Sequence, residues 1–457
     1  MPTFTNLARA NEIGANAYHL DLGDAAVVLD AGMHPKLDGT ASLPLLEHLD
    51  HRPVDAIFLS HAHHDHIGAA PLLMERHPDA PVFLTEPTCH LADRLLHNSV
   101  NVMKSQREEL GIPEYPFYTH SQVAALTRRW QTVRTGDRWS LDGHPSRLPE
   151  TVAFTLHRAG HILGSAAIDI NHRGRRILYT GDLNFTDQSL LRGAQLPTSD
   201  IDTLIIETTR GAQPNPDGYS RDRVRDHLLQ ALNQVHDAGG CVLLPIFAMG
   251  KTQELLALLH QARQRGEIPH DTFFIGGLGR SFTEIYDRLA DAPDRLSHKP
   301  SLTEDIRPQV LDWRTLRDFR PRRSHLYLLP SGMMTRHTNS NRFAASFLNR
   351  EENGVFFVGY CDPDSPAGRL RATPRGGKIQ LNPGDPEIPV RARVEHFDFT
   401  SHATRESLLD YILRLNPRQC LLIHGDPPAL AWFQEQLTQR APSLRVIIPP
   451  PGQPVEI

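Results

Sequence analysis

The chain has 457 residues, 39% of them hydrophobic and 22% charged, with a formal net charge of −5 at pH 7. That balance excludes a disordered chain and a protein that coats nucleic acid through overall positive charge, and the length favours two domains over one core. With no apolar run near the roughly 20 residues of a membrane helix, no apolar signal core in MPTFTNLARANEIGAN and four dispersed cysteines (Cys89, Cys241, Cys361, Cys420) lacking a CxxC pair, the sequence predicts a cytoplasmic protein with reduced, buried thiols.

In chain order, AYHLDLG, AAVVLDAG and VDAIFLS read as strands, and IGAAPLLMERHP as a short helix. FTLHRAGH, SAAIDIN, RRILYTGD and TLIIETT are four further strands, the last ending at Glu207. The polar loop RGAQPNPDGYS then marks a change of character. Beyond it helices and short apolar strands alternate: a helix in DRVRDHLLQALNQVHDAGG, the strand CVLLPIF, a helix in MGKTQELLALLHQARQRG, the strand TFFIGG, a helix in RSFTEIYDRLAD, the strand HLYLLPSG, a helix in NRFAASFLNREEN and the strand GVFFVGY. Such alternation predicts a mostly parallel sheet flanked by helices. Residues 361–389 read as a return linker, and QCLLIHGDPPALAWFQEQL as strand, loop and helix. The expectation is an α/β chain of two layered units, the second inserted into the first, with boundaries at 1–209, 210–385 and 386–457.

Chemistry concentrates in LSHAHHDHIG, where a strand gives way to a helix. The H-x-H-x-D-H spacing turns His61 and His63 one way and Asp65 and His66 to a second position on the bending backbone. One tetrahedral zinc takes about four ligands, and a pair of metals needs more than this loop supplies. The missing donors are sought at later strand ends: His161 in AGHILGS, Asp182 in YTGDLN and His424 in LLIHGD, each beside a glycine that permits close backbone approach. Taken singly, His161 or His424 reads as a structural histidine, and Asp182 as a turn residue or helix cap; the cluster is what gives them weight. Seven ligands suffice for two zinc ions if Asp182 bridges. His64 is then surplus and is expected to face away, into solvent or onto a neighbouring loop.

Three other stretches invite functional readings. GKT at 250–252 lacks the Walker glycine, because Pro245 stands in its place. GGLGRS at 276–281 lacks a full GxGxxG and reads as a loop more readily than as a phosphate-binding turn. RTLRDFRPRR at 314–323 reads equally as a solvated helix end or as an RNA-backbone contact, with Trp313 and Phe319 as stacking or core residues.

The order VVLDAG, HAHHDH, GHILGSA, YTGDLN resembles the four motifs of the metallo-β-lactamase fold family. IIETTRG, LPIFAMGKTQELL, LPSGMM, FDFTSHATRESL and LLIHGDP resemble the nucleic-acid-processing β-CASP branch. In layout the chain resembles the compact prokaryotic relatives of the mRNA 3′-end cleavage endonuclease subunit, and it also resembles RNase J. The resemblance implies an αββα sandwich with an inserted β-CASP domain and two zinc ions on His61, His63, Asp65, His66, His161, Asp182 and His424. It implies Asp30 as the residue that fixes a ligating histidine, and Glu207, His402 and His424 as the three branch-specific residues. The histidine at 424 is typical of members that act on RNA. The implied mechanism is attack by zinc-activated hydroxide on a phosphodiester, with His402, supported by Glu207, as general acid and with 5′-phosphate and 3′-hydroxyl products. Lys251 stands where the family usually has arginine, and Lys251 and Ser331 are the candidate substrate contacts. Single-stranded RNA is the expected partner, with no membrane and with a homo-oligomer left open. The rival readings are a DNA nuclease on the same scaffold, a small-molecule hydrolase such as a thioesterase or lactamase, against which the β-CASP-like insertion argues, and a catalytically inactive RNA-binding subunit; endonuclease and 5′-exonuclease modes are both open.

Overall fold

The computed structural model describes residues 2–146, 152–296 and 300–457. The chain divides into two compact units: Met1–Asp187, Arg192–Asn215 and His402–Ile457 form the first, and Gln188–Leu191 with Pro216–Ser401 the second.

The first unit is two seven-stranded sheets face to face. One runs, in spatial order, Pro454–Glu456, Thr3–Asn6, Ala17–Asp21, Ala26–Ala31, Ala56–Phe58, Val82–Leu84 and Trp130–Thr132. The other runs Arg445–Ile447, Gln419–Ile423, Thr203–Glu207, Arg175–Tyr179, Ala166–His172, Val152–Arg158 and Arg138–Ser140. Alternate residues point inward, as the two-residue pleat requires. Ala166, Ile168 and Ile170 meet Tyr18, Leu20, Val27 and Leu29 in the central core, while Ala167 joins the outer layer. The Phe58, Phe83 and Phe154 rings pack across the two sheets with centroids 4.7–5.5 Å apart. Burying each such ring contributes roughly 1.5–3 kcal/mol. Helices Arg405–Leu415 and Pro427–Arg440 cover Leu178, Leu204, Ile206 and Leu422 on the outer face of the second sheet. The helices Ala70–Arg76 and Glu86–Leu110 pack on the outside of the first sheet.

Strand direction decides where the site forms. Arg175–Tyr179, Thr203–Glu207 and Gln419–Ile423 run parallel, with Tyr179 level with Ile205 and Glu207 level with Ile423. Their C-terminal tips, which lead to Asp182, Glu207 and His424, therefore share one edge. In the facing sheet Ala26–Ala31 and Ala56–Phe58 are also parallel, with Leu29 level with Phe58. Asp30 and the loop at His61 thus leave that sheet together.

The second unit is built on a six-stranded, wholly parallel sheet in the order Gln309–Val310, Thr272–Ile275, His325–Leu329, Val242–Pro245, Gly354–Phe357, Arg393–His396. The last of these strands lies beyond residue 385 and hydrogen-bonds to Gly354–Phe357. Leu243, Tyr327, Leu329, Phe343, Phe347, Val355 and Phe357 form its core. Gln188–Leu191 docks on helix Lys251–Gln264, where Glu254 accepts hydrogen bonds from the Ser189 and Leu190 amides at 2.5 and 3.0 Å.

Two sequence readings are corrected here. GGLGRS is no loop: after Gly276 it opens the helix Gly277–Arg288. Residues 361–389 are no plain linker, for they hold helix Pro366–Ala372 and the pair Lys378–Ile379 with Ile388–Pro389. Ser365 caps that helix, accepting from the Gly368 amide at 3.1 Å, and Leu370, Ile379 and Leu381 anchor the segment in the core. The cysteines are unpaired, with Cys241, Cys361 and Cys420 buried. No helix among the described residues is long and apolar enough to cross a membrane.

A buried ion pair ties two strands of the second sheet. Asp169, 6% exposed, is paired with Arg176 and lies 3.2 Å from His157 Nε2. Burial alone would raise its pKa, but His157 and Arg176 outweigh burial and hold the carboxyl below its usual value. A depressed folded-state pKa contributes stability that is present above the unfolded value, about 3.9, and lost as pH falls through the folded one. Asp169→Asn is expected to cost about 1–3 kcal/mol at neutral pH, with the gap to wild type narrowing below about pH 4. Urea unfolding at the two pH values checks this, and equal midpoints at neutral pH would contradict it.

Candidate metal centre

Asp182 is the point where the strand ends meet. It follows Gly181, whose backbone is left-handed (φ 53°) and where a Cβ would come 2.9 Å from the Ser60 side chain. Asp182 is 3% exposed, and its two oxygens face different groups. Oδ2 lies 3.5 Å from His61 Nε2 and 3.6 Å from His161 Nε2. His63 Nδ1 completes that set, 3.2 Å from His61 Nε2 and 3.0 Å from His161 Nε2. Oδ1 lies 3.4 Å from His66 Nε2 and 3.0 Å from His424 Nδ1. Asp65 Oδ2 closes the second set, 3.4 Å from His424 Nε2 and 3.8 Å from His66 Nε2.

These spacings fit metal coordination. Tetrahedral zinc with bonds near 2.0–2.1 Å separates its donors by about 3.3 Å. The donor groups His61, His63, His161, Asp182 and Asp65, His66, His424 each converge in this way. Among the described residues, Asp182 Oδ1 and His424 Nε2 are buried without a hydrogen-bond partner, which a cation would satisfy.

The electrostatics of the two sets differ. Burial drives His61 well below the ordinary histidine value and His63 down to about 4, so both are neutral imidazoles, the form that ligates. Burial acts the same way on His66 and His424 but is outweighed by Asp182 and Asp65. His66 is held well above the ordinary value and His424 is pushed up to about 10. Asp182 stays ionised despite burial because His424 and His66 face it. The carboxylates in the second set thus favour positive charge beside them, which a divalent cation would supply.

The supporting groups lie just behind. Asp30, fully buried and left-handed (φ 59°), accepts from the Ser60 amide and hydroxyl at 2.7 Å each and from the Tyr179 hydroxyl at 2.5 Å. It also lies 2.7 Å from His66 Nδ1, which turns His66 Nε2 toward Asp182. A Cβ at Gly32 would stand 1.7 Å from the Asp65 carbonyl, so only glycine lets the histidine loop close here. Glu207, 1% exposed, accepts from the Leu183 amide at 2.6 Å and lies 3.2 Å from His402 Nδ1. That nitrogen is 3.9 Å from Asp182 Oδ2, so the Glu207–His402 pair borders the first donor set. Burial would lower the His402 pKa, but Glu207 and Asp182 outweigh it and raise it.

His64 turns away from the donors, as expected, but not into solvent: Nε2 lies 3.0 Å from the Ser99 hydroxyl in helix Glu86–Leu110. Lys251 and Ser331 belong to the second unit. Lys251 is buried and donates to the Phe399 carbonyl, and Ser331 Oγ accepts from the Thr335 amide at 3.2 Å. Sequence reasoning missed Ser60, Tyr179 and Asn16, whose Nδ2 lies 3.1 Å from His66 Nε2. Ser60 and Tyr179 flank recognised motifs, whereas Asn16 stands in none.

Comparisons with known proteins agree with this geometry. Residues 10–234 match the metallo-beta-lactamase superfamily, 252–370 the Beta-Casp domain, and 387–449 the Zn-dependent metallo-hydrolase RNA specificity domain. The chain is similar to endoribonuclease YSH1 of Saccharomyces cerevisiae, with 27% identity over 97% of this chain and 57% of that protein. It is similar to cleavage and polyadenylation specificity factor 73 of Drosophila melanogaster, with 26% identity over 92% and 59%. A probable RNase, MJ4, of Methanocaldococcus jannaschii is 27% identical over 91% of both chains. The chain thus spans little more than half the length of the eukaryotic relatives. A solved protein of unknown function from Enterococcus faecalis V583 shares the fold, with a TM-score of 0.57 and 14% identity over 100% of both chains.

Replacing single donors tests the assignment. Asp182→Ala and His66→Ala are expected to lower bound metal relative to the parent, Asp182→Ala most because it faces both sets, while His64→Ala keeps the parent content. Elemental analysis of purified variants reads this, and an Asp182→Ala protein with full metal content would refute the bridging role.

Proposed function

For a chain built as a metallo-β-lactamase domain with an inserted β-CASP domain, we propose zinc-dependent hydrolysis of RNA phosphodiester bonds. One observation carries the reading: a single buried carboxylate, Asp182, faces two donor sets and also borders the Glu207–His402 pair. RNA as substrate is supported by the match to the RNA specificity domain over 387–449, which contains His402 and His424, and by the ribonucleases among the relatives.

His61, His63, His161 and Asp182 would hold one zinc ion, and Asp65, His66, His424 and Asp182 the other. When bound, such a pair lowers the pKa of water toward about 7 and neutralises charge on a phosphate oxygen. The protein's own groups do the rest. Asp30 fixes the ring of His66. Glu207, itself pinned by the Leu183 amide, holds His402 through Nδ1. Nε2 of His402 is then the nitrogen that gives a proton to the leaving 3′-oxygen. Water supplies the new oxygen on phosphorus, so the products carry a 5′-phosphate and a 3′-hydroxyl. A general acid must be protonated before transfer, and the carboxylates beside His402 raise its pKa for that purpose.

His402→Ala is expected to retain the parent zinc content and lose about 10²–10⁴-fold in kcat. Glu207→Gln removes the larger of the two carboxylate contributions that raise the His402 pKa, so the alkaline limb of its pH–rate profile is expected to move to lower pH. Both are measured on end-labelled and circular RNA beside matched DNA. Full activity in His402→Ala, or preference for DNA, would overturn the corresponding part of the reading.

A further inference from the structure

The parent chain carries a net charge of −5, yet residues 312–342 hold seven arginines against two aspartates. Arg314, Arg317, Arg320, Arg322 and Arg323 are all exposed. Arg314 pairs with Asp312 at 2.5 Å. Among the described residues, Arg317, Arg320, Arg322 and Arg323 make no ion pair, so their charge is available to a polyanion. The short 3-10 helix Trp313–Asp318 carries Arg314 and Arg317 together with an exposed aromatic ring, and Arg320, Arg322 and Arg323 follow it directly in the chain. Trp313 is 48% exposed, and the guanidinium of Arg342 sits 4.3 Å from its ring centroid. Arg342 is itself held by a 2.9 Å hydrogen bond from Nε to the His337 carbonyl. The indole is thereby held by a guanidinium at its ring while about half of the residue stays exposed. Phe319, in contrast, turns inward, its ring centroid 4.6 Å from Phe343.

We propose that Trp313 and the arginines at 317, 320 and 323 form a sequence-tolerant contact surface for single-stranded RNA, in which a base stacks on the indole and the guanidinium groups hold the adjoining phosphates. The inference rests on the reading of RNA as substrate and deepens it by assigning a contact surface within the second unit. A fixed aromatic face flanked by unpaired cations is the combination that binds single strands without reading their sequence. It is distinct from any role for Lys251, which is buried, whereas Arg320 stays exposed although its Nη1 donates to the Phe319 carbonyl at 2.8 Å.

The test uses the full chain and a fluorescently labelled 20-nucleotide single-stranded RNA of mixed sequence, with chelator present to prevent cutting. The combined variant Arg317→Ala, Arg320→Ala, Arg323→Ala is expected to weaken binding at least about tenfold. Its slope of log affinity against log salt should fall by about 2, since each lost phosphate contact removes about 0.7. Trp313→Ala is expected to weaken binding by about tenfold with the salt slope unchanged. Hydrolysis of bis(p-nitrophenyl) phosphate by the zinc-loaded variants should equal that of the parent, which separates a lost contact from a lost fold. Parent-like affinity and salt slope in both variants, alongside a parent that cuts RNA, would overturn this surface alone. A parent that neither binds nor cuts RNA would overturn both this inference and the functional reading beneath it.

Discussion

The structure of the first unit is organised around the ionised carboxylate of Asp182, enclosed where it can be stable only if positive charge is close on both sides. A buried carboxylate is costly by itself, and it persists because each oxygen faces imidazoles brought from different strands. Parallel pairing of Arg175–Tyr179, Thr203–Glu207 and Gln419–Ile423 is what sends those strand tips to one edge. The facing sheet delivers Asp30 and the histidine loop to the same place. The aromatic and aliphatic core between the sheets is therefore a positioning device as well as a source of stability: it fixes the separation of the two edges from which the donors project.

The unequal protonation of the two halves follows from the same arrangement. His61 and His63 sit on the side with fewer carboxylates and are left neutral by burial. His66 and His424 lie between Asp182 and Asp65 and are drawn to the protonated form. A divalent cation in the second set would answer the same carboxylate charge that raises these two imidazoles. The left-handed backbone at Asp30 and His424 is the local strain that accompanies this geometry, at residues that aim side chains into the site.

Much of this was legible in the sequence because the donors carry local signatures. The H-x-H-x-D-H spacing cannot easily be explained by packing, and Asp182, His161 and His424 each stand beside a glycine at a strand end. The alternation of apolar strands with helices likewise announced the parallel sheet of the second unit. What escaped had a different origin. Asn16 reaches His66 from the turn before a strand, through a contact 50 residues distant in sequence that no periodicity encodes. The 25-residue helix Glu86–Leu110 went unread although its ends were marked, by Thr85 with Pro87 at the start and left-handed Gly111 at the stop; its long polar surface hid the apolar face of Leu91, Leu96, Val100 and Met103. Residues 361–389 looked like a linker because Pro, Gly and Arg dominate them, yet Leu370, Ile379 and Leu381 are enough to anchor them in the core.

In the proposed function one aspartate, Asp182, would join two metal positions. Anomalous X-ray scattering from zinc-loaded crystals, recorded on both sides of the zinc absorption edge, addresses it most directly. Two peaks about 3.5–4 Å apart are expected, one among His61, His63 and His161, the other among Asp65, His66 and His424, and both in contact with Asp182. A single peak, or two peaks of which either lies out of reach of Asp182, would contradict it.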